Sequence, residues 1–339
     1  MQTNNQNNPG DSKPSSSQHG RRGFLKRICA GGLAAAGLPL ATTKGFAEES
    51  ETTAPVIAPG PIPQVTIAGV RIPRMIIGSN PIGGWSHAVP NLSLAMPDYF
   101  TLDRTVEFLQ RCERSGLDVW LSYWAEKPLS ALKILWAQGY KMRPYFLGTL
   151  NAKGQLLGAE SGIDDDIRLY KPIFYVHHGN VTDFLFSAGK QERVHDFVKK
   201  VHDDLGIPAG VSAHNPDNIK YIEDHGWEVD LYQTCLYYVT RPKEEIRAKL
   251  GTAMLGEPFL ESDRDNMLKV IQQVQKPCLA FKILAAGRHC ETGRSVEDAF
   301  AYALTGIKKT DAVIVGFWPK FKDELSQNIG FLCQYGSPA

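Results

Sequence analysis

The chain has 339 residues, 37 Lys and Arg against 36 Asp and Glu for a formal charge of +1, and 43% hydrophobic residues. A balance this even excludes an electrostatic grip on nucleic acid, and the apolar share suffices for one large core or two small ones. Beyond residue 47 the five cysteines are odd in number and form no CxxC pair, so they read as small buried hydrophobes and not as a disulfide framework.

The first feature in chain order is HGRRGFLKRICAGGLAAAGLPLA, residues 19–41. Its apolar run, residues 28–40, is too short to cross a ~30 Å hydrocarbon core as a helix and follows a basic patch, so it reads as a cleavable signal and not an anchor. The pattern from Gly20 to Lys26 resembles the bacterial twin-arginine export signal, with Gly20 where Ser or Thr usually stands. Gly45-Phe46-Ala47 supplies a cleavage pattern. That resemblance implies that the twin-arginine export machinery receives a folded chain and delivers it to the periplasm or the medium, with no stable membrane anchor after processing. Loss of residues 1–47, with six Lys and Arg and one Asp, takes the formal charge from +1 to −4. Residues 48–65 are acidic and then Pro-rich and read as a flexible tether, leaving 66–339 as the folded domain.

From Arg74 onward, eight apolar runs alternate with amphipathic segments: 74–80, 118–123, 143–150, 173–179, 208–215, 229–239, 276–285 and 311–318. The intervening helices are predicted near 101–116, 128–139, 162–171, 182–205, 216–226, 261–275, 295–308 and 322–335. Near-continuous apolar strands alternating with helices mean a covered parallel sheet, and eight units fit a (β/α)8 TIM barrel. A doubly wound sheet is the alternative, but no GxGxxG follows the first strand. The long connections 79–100 and 240–260 follow strands at the end where barrels keep their sites, which makes both candidate lids.

The same C-terminal strand ends carry a polar rim. His177 and His178 are adjacent on one strand, so at most one faces the barrel axis and the other is packed or faces a helix. His214 shares a face with Ser212. No third ligand is forced by spacing, so no metal is expected. Lys282 interrupts an apolar strand and reads as a desolvated Schiff-base amine, an anion clamp or a lysine that snorkels at the rim. Asn80, Trp85, His87 and His214 are the residues expected nearest a small-molecule substrate.

Several of these strand ends are similar to the aldo/keto reductase barrel superfamily: VRIPRMIIGSNPIGG, GVSAHNP, LYQTCLYY, LAFKILAAGR and VIVGFWPKFKDELSQNIG occur in the family's order. The resemblance implies an NADP(H) site, with nicotinamide contacts at Ser212 and Gln233 and a stacking ring at Phe281. The adenosine-phosphate end falls near Lys320, Asn328 and the start of the last helix. Ala213 replaces a usual Asn. Of the family's Asp, Tyr, Lys and His tetrad, His178 matches the histidine, Leu150 occupies the lysine position, Leu121 or Ser122 the aspartate, and Glu126 lies nearest the tyrosine, with Tyr123 out of register.

Three functions follow as expectations. The first is an exported aldo/keto reductase-like oxidoreductase for a carbonyl or carbohydrate substrate, with His178 and Glu126 as an altered acid–base set and Tyr123 and Lys282 close by. The second is a cofactor-free or metal-assisted lyase, isomerase or hydrolase acting on sugars through the same two groups. The third is a non-catalytic carbohydrate-binding barrel that stacks sugars on Trp85, Trp124 and Trp318.

Overall fold

A computed structural model describes residues 61–158 and 167–337. The export signal and residues 48–60 of the tether lie outside the described residues. The strands are β1 Gln64–Ile67, β2 Val70–Pro73, β3 Met75–Gly78, β4 Val119–Ser122, β5 Arg143–Leu150, β6 Leu156–Gly158, β7 Tyr175–His177, β8 Ala209–Ala213, β9 Leu231–Cys235, β10 Cys278–Phe281 and β11 Ala312–Gly316. Parallel pairing runs β3, β4, β5, β7, β8, β9, β10, β11 and back to β3, which closes an eight-stranded barrel with helices between the strands. Each of the eight runs predicted from sequence holds one barrel strand.

Closure follows from burial on both strand faces. Residues such as Val119, Tyr145, Val176, Leu231, Leu279 and Ile314 fill the barrel interior, while alternate residues such as Ile77, Trp120, Tyr175 and Tyr232 pack outward against the helices. The β1–β2 hairpin adds Val65, Ile67 and Ile72 to the interior cluster. Its two-residue turn, Ala68 and Gly69, has φ of 46° and 79°, the doubly positive geometry that matches strand twist. The first strand therefore starts at Gln64, inside the stretch read as tether. At the same end Arg74, 2% exposed, donates from Nε and both Nη atoms to the carbonyls of Asp311, Gly336 and Lys308, tying the last helices to the barrel.

Two predicted helices differ. The segment 182–205 is two helices, Gly179–Ser187 and Glu192–Leu205, separated at Gly189 with φ 65°. The segment near 162–171 is, among the described residues, a 3-10 turn at Ile167–Tyr170. Both candidate lids contain helices: Asn80–Gly83 and Pro90–Tyr99 in the first, Lys243–Leu250 in the second. The lids meet where His87 Nδ1 lies 2.8 Å from Glu257 Oε1, and Arg288 donates to the His87 carbonyl at 3.3 Å.

Candidate functional site

A cleft of about 360 Å3 opens at the C-terminal end of the barrel and runs outward to the helix Glu324–Tyr335. Strand alternation sets its floor: Leu121, Leu147, His178, Ser212, Gln233, Phe281 and Ile314 all lie in phase with interior residues two positions earlier. Two glycines let the walls close. A Cβ on Gly316 would lie 2.8 Å from Pro81 Cδ, and one on Gly179 would lie 2.9 Å from His214 Cε1.

Alternation also separates the adjacent histidines as expected. His177 faces the helices, fully buried, with Nδ1 2.7 Å from Thr182 Oγ1 and its ring edge-on to Phe197. Burial holds it down at about 3. His178 lines the cleft, and burial followed by repulsion from His214 lowers it to about 4. Its Nδ1 is buried without a hydrogen-bond partner.

His214 ends β8, 5% exposed, and is held by Asp183 from the helix Gly179–Ser187. Asp183 Oδ2 accepts from His214 Nδ1 at 2.8 Å, from the His214 backbone N at 3.0 Å and from Thr240 Oγ1 at 2.8 Å. Its Oδ1 accepts from Asn218 Nδ2 at 2.8 Å. A carboxylate on Nδ1 fixes the neutral tautomer with a bare Nε2, the oriented base of nucleophilic and proton-transfer sites. Burial lowers the His214 pKa, and Asp183 opposes that shift.

Lys282 follows β10 in the left-handed region at φ 60°, as do Ala285 at 49° and Ala286 at 52° in the same loop. Each such non-glycine residue costs about 1–2 kcal/mol, a strain that concentrates at functional sites. The Lys282 ammonium sits 5.9 Å from the Phe281 ring centroid, and burial lowers its pKa. Gln233 is 1% exposed and its Oε1 accepts from the buried Tyr145 hydroxyl at 3.0 Å, which leaves its NH2 for the cleft.

At the outer end Trp318, Gln327 and Asn328 line the cleft, and Trp318 Nε1, Gln327 Oε1 and Asn328 Oδ1 are buried without hydrogen-bond partners. One donor and two acceptors held this way suit the edge of a heterocycle. Lys322 and Glu324 line the same end, and Glu324, raised by burial, accepts from the Trp318 backbone N at 2.7 Å.

Of the residues singled out from sequence, the cleft gathers Asn80, Trp85, His87, His178, Ser212, His214, Gln233, Phe281, Lys282 and Asn328. Four others lie elsewhere. Glu126 is exposed in the first turn of the helix Glu126–Ala137 and does not line the cleft, so the expected His178–Glu126 pair is not assembled there. Tyr123 packs edge-on to Trp85 with ring centroids 4.7 Å apart, outside the lining. Lys320 is exposed, its Nζ 5.8 Å from the Trp318 ring, and Lys322 takes its place in the cleft. Trp124 stacks on Phe146 at 4.3 Å as a core residue. Sequence reasoning missed Asp183, whose one signal is a carboxylate within the apolar helix GNVTDFLFS, and Glu257, which carries none. Among the described residues no cluster of three or more His, Cys, Asp and Glu could hold a metal ion, and no helix is long and apolar enough to cross a membrane.

No protein-family model matches the chain, and no curated protein matches it in sequence. Among solved structures it is similar to a protein described as an aldo-keto reductase from Pseudomonas aeruginosa, with a TM-score of 0.49 and 14% identity over 80% of this chain and 93% of that one. It is also similar to the apo form of Gox0644, with a TM-score of 0.45 and 12% identity over 80% and 93%. A third is 7,8-dihydropteroate synthase from Vibrio fischeri ES114, with a TM-score of 0.39 and 9% identity over 80% and 97%. At these identities the site is read from its own geometry.

Proposed function

We propose that this protein is an exported barrel enzyme that oxidises or reduces a small polar carbonyl or carbohydrate substrate, with an NADP(H)-type dinucleotide along the cleft and the Asp183–His214 pair as its acid–base group. The observation that carries this reading is the bare Nε2 of a carboxylate-oriented His214 inside a cleft that continues to partnerless polar atoms at the last helix. The residues fit such a group: the Gln233 amide suits a carboxamide, and Phe281 offers a ring face. Lys322, in place of Lys320, supplies the outer cation. A dinucleotide held there would accept or supply a hydride.

The chain's own residues handle the proton. A neutral His214 takes a proton from a substrate hydroxyl at Nε2, and the imidazolium so formed is steadied by Asp183. Because burial lowers the His214 pKa, the neutral imidazole is the form available to take that proton. A lysine-tuned tyrosine has no part here, since Leu150 stands at the lysine position and Tyr123 lies outside the lining.

Cofactor-free proton transfer on a sugar is the second reading, favoured by three nitrogen bases of lowered pKa, His178, His214 and Lys282, in one cavity. Titration with NADPH separates the two. On the first reading it quenches the fluorescence of Trp85 and Trp318, Gln233→Ala weakens binding about tenfold, as one lost hydrogen bond of ~1.4 kcal/mol would, and Lys320→Ala leaves it unchanged. No change up to millimolar NADPH with folded protein transfers the assignment to the second.

A further inference from the structure

We propose that Lys282 captures an aldehyde or ketone as a covalent imine, an activity that does not depend on a dinucleotide being held and shares only the cleft with the reading above. Lys282 follows the last residue of β10, lines the cleft, and has no hydrogen-bond or ion-pair partner among the described residues, its Nζ lying 5.9 Å from the Phe281 ring centroid. An amine without a counter-ion in a half-buried, apolar-walled cleft is poorly solvated as a cation, and burial lowers its pKa. The charged and titratable groups that act on it are Cys235 and Glu257, which favour the cation, and Arg288, which opposes it. Its charge in turn depresses His178 and His214. Glu257 is already engaged by His87 at 2.8 Å, and the Cys235 thiol is pushed up to about 12 by burial, so neither is a free carboxylate or thiolate partner.

The step balances without an oxidant or reductant. The neutral Nζ adds its lone pair to the carbonyl carbon, and one Nζ proton passes through His214 Nε2 to the former carbonyl oxygen. That oxygen then leaves as water with the second proton, and a C=N bond remains. The imine acidifies the C–H next to it, and the neutral His178 and His214 stand in the same cleft to accept that proton. The left-handed backbone at Lys282, stored at the end of an otherwise regular strand, fits a residue placed for chemistry.

The test is reductive trapping on the purified full chain at pH 7 with dihydroxyacetone or glycolaldehyde and cyanoborohydride, read by intact mass and peptide mapping. Lys282 is expected to carry the adduct at least about tenfold faster than exposed Lys190, a gain within what a positioned general base such as His214 supplies. In Lys282→Arg, with unchanged circular dichroism, the single fast adduct disappears. Labelling of Lys282 no faster than Lys190 in the native wild type overturns the proposal without needing any variant to fold. Trapping without NADPH quenching leaves imine capture standing and removes the oxidoreductase reading; quenching without trapping does the reverse.

Discussion

Replacing Asp183 tests the core of the site without knowledge of the substrate. Asp183→Ala strips the acceptor from His214 Nδ1, Thr240 Oγ1 and Asn218 Nδ2, each at 2.8 Å, and from the backbone N atoms of His214 and Asn215 at 3.0 and 3.4 Å. These donors are not additive, and loss of one partner of a buried hydrogen-bonded pair costs about 3–5 kcal/mol. At ~2–4 °C per kcal/mol for a domain of this class, the melting temperature falls by roughly 6–20 °C. Asp183→Asn is milder. If its nitrogen takes the Oδ1 position, the Asn218 amide turns to accept from it, the long bond from the Asn215 backbone N is lost, and Oδ2 keeps its three donors as a neutral acceptor, so about 1–2 kcal/mol is lost. The informative readout is nitrogen NMR of His214: the wild type carries its neutral-state proton on Nδ1, and Asp183→Asn titrates lower still because the group that raises its pKa is gone. A wild-type proton on Nε2, or a His214 titration unchanged in Asp183→Asn, refutes the oriented-base assignment.

Acid should weaken the fold through the cleft. The pKa of His178 is near 4 when folded against 6.5 when free, so between those values the unfolded chain binds more protons and stability drops by about 1.4 kcal/mol for each unit by which the pH is lowered. His177, at about 3, adds to the same slope, and urea denaturation at pH 6 and 5 should show His178→Asn flattening it by one proton's worth, an unaltered slope counting against the shift. Gly179→Ala drives a Cβ to 2.9 Å from His214 Cε1 and 3.0 Å from Ser212 Oγ, and is expected to cost about 1–3 kcal/mol of stability by overpacking. Full stability with an unshifted His214 resonance would deny that close approach. For the proposed export route, Arg21→Lys with Arg22→Lys should leave folded protein in the cytoplasm on cell fractionation, and undiminished export would remove the twin-arginine reading.

The parts of this molecule that sequence reveals are those governed by nearest neighbours along the chain. A strand buried on both faces must be apolar almost throughout, so the eight barrel strands stand out as runs, and the two long connections stand out as excess length. The same two-sided burial hides phase. Alternation separates His177 from His178, but with Tyr175 and Val176 both buried, nothing local says which histidine faces the axis. The β1–β2 hairpin shows an alternating QVTI-AG-VRIP pattern, yet its first two residues, Gln64 and Val65, follow a Pro-rich stretch and read with it as tether.

Helix starts conceal rotation in a similar way. Glu126 lies four residues beyond β4, close enough along the chain to be a cleft acid. It falls instead in the first turn of a helix, where a carboxylate favours the helix dipole and solvent is near. Lys320 and Lys322 differ by two residues in a turn, and the backbone path alone decides which of them reaches the cleft. Asp183 is the extreme case: its five side-chain and backbone donors come from positions 31, 32, 35 and 57 residues away, brought together by β8, the helix after it and the second lid. A buried carboxylate in an apolar helix marks some long-range debt of hydrogen bonds. Only closure of the barrel shows that the debt is owed to a histidine, and this is why the proposed proton transfer is placed on His214 and not on His178 with Glu126.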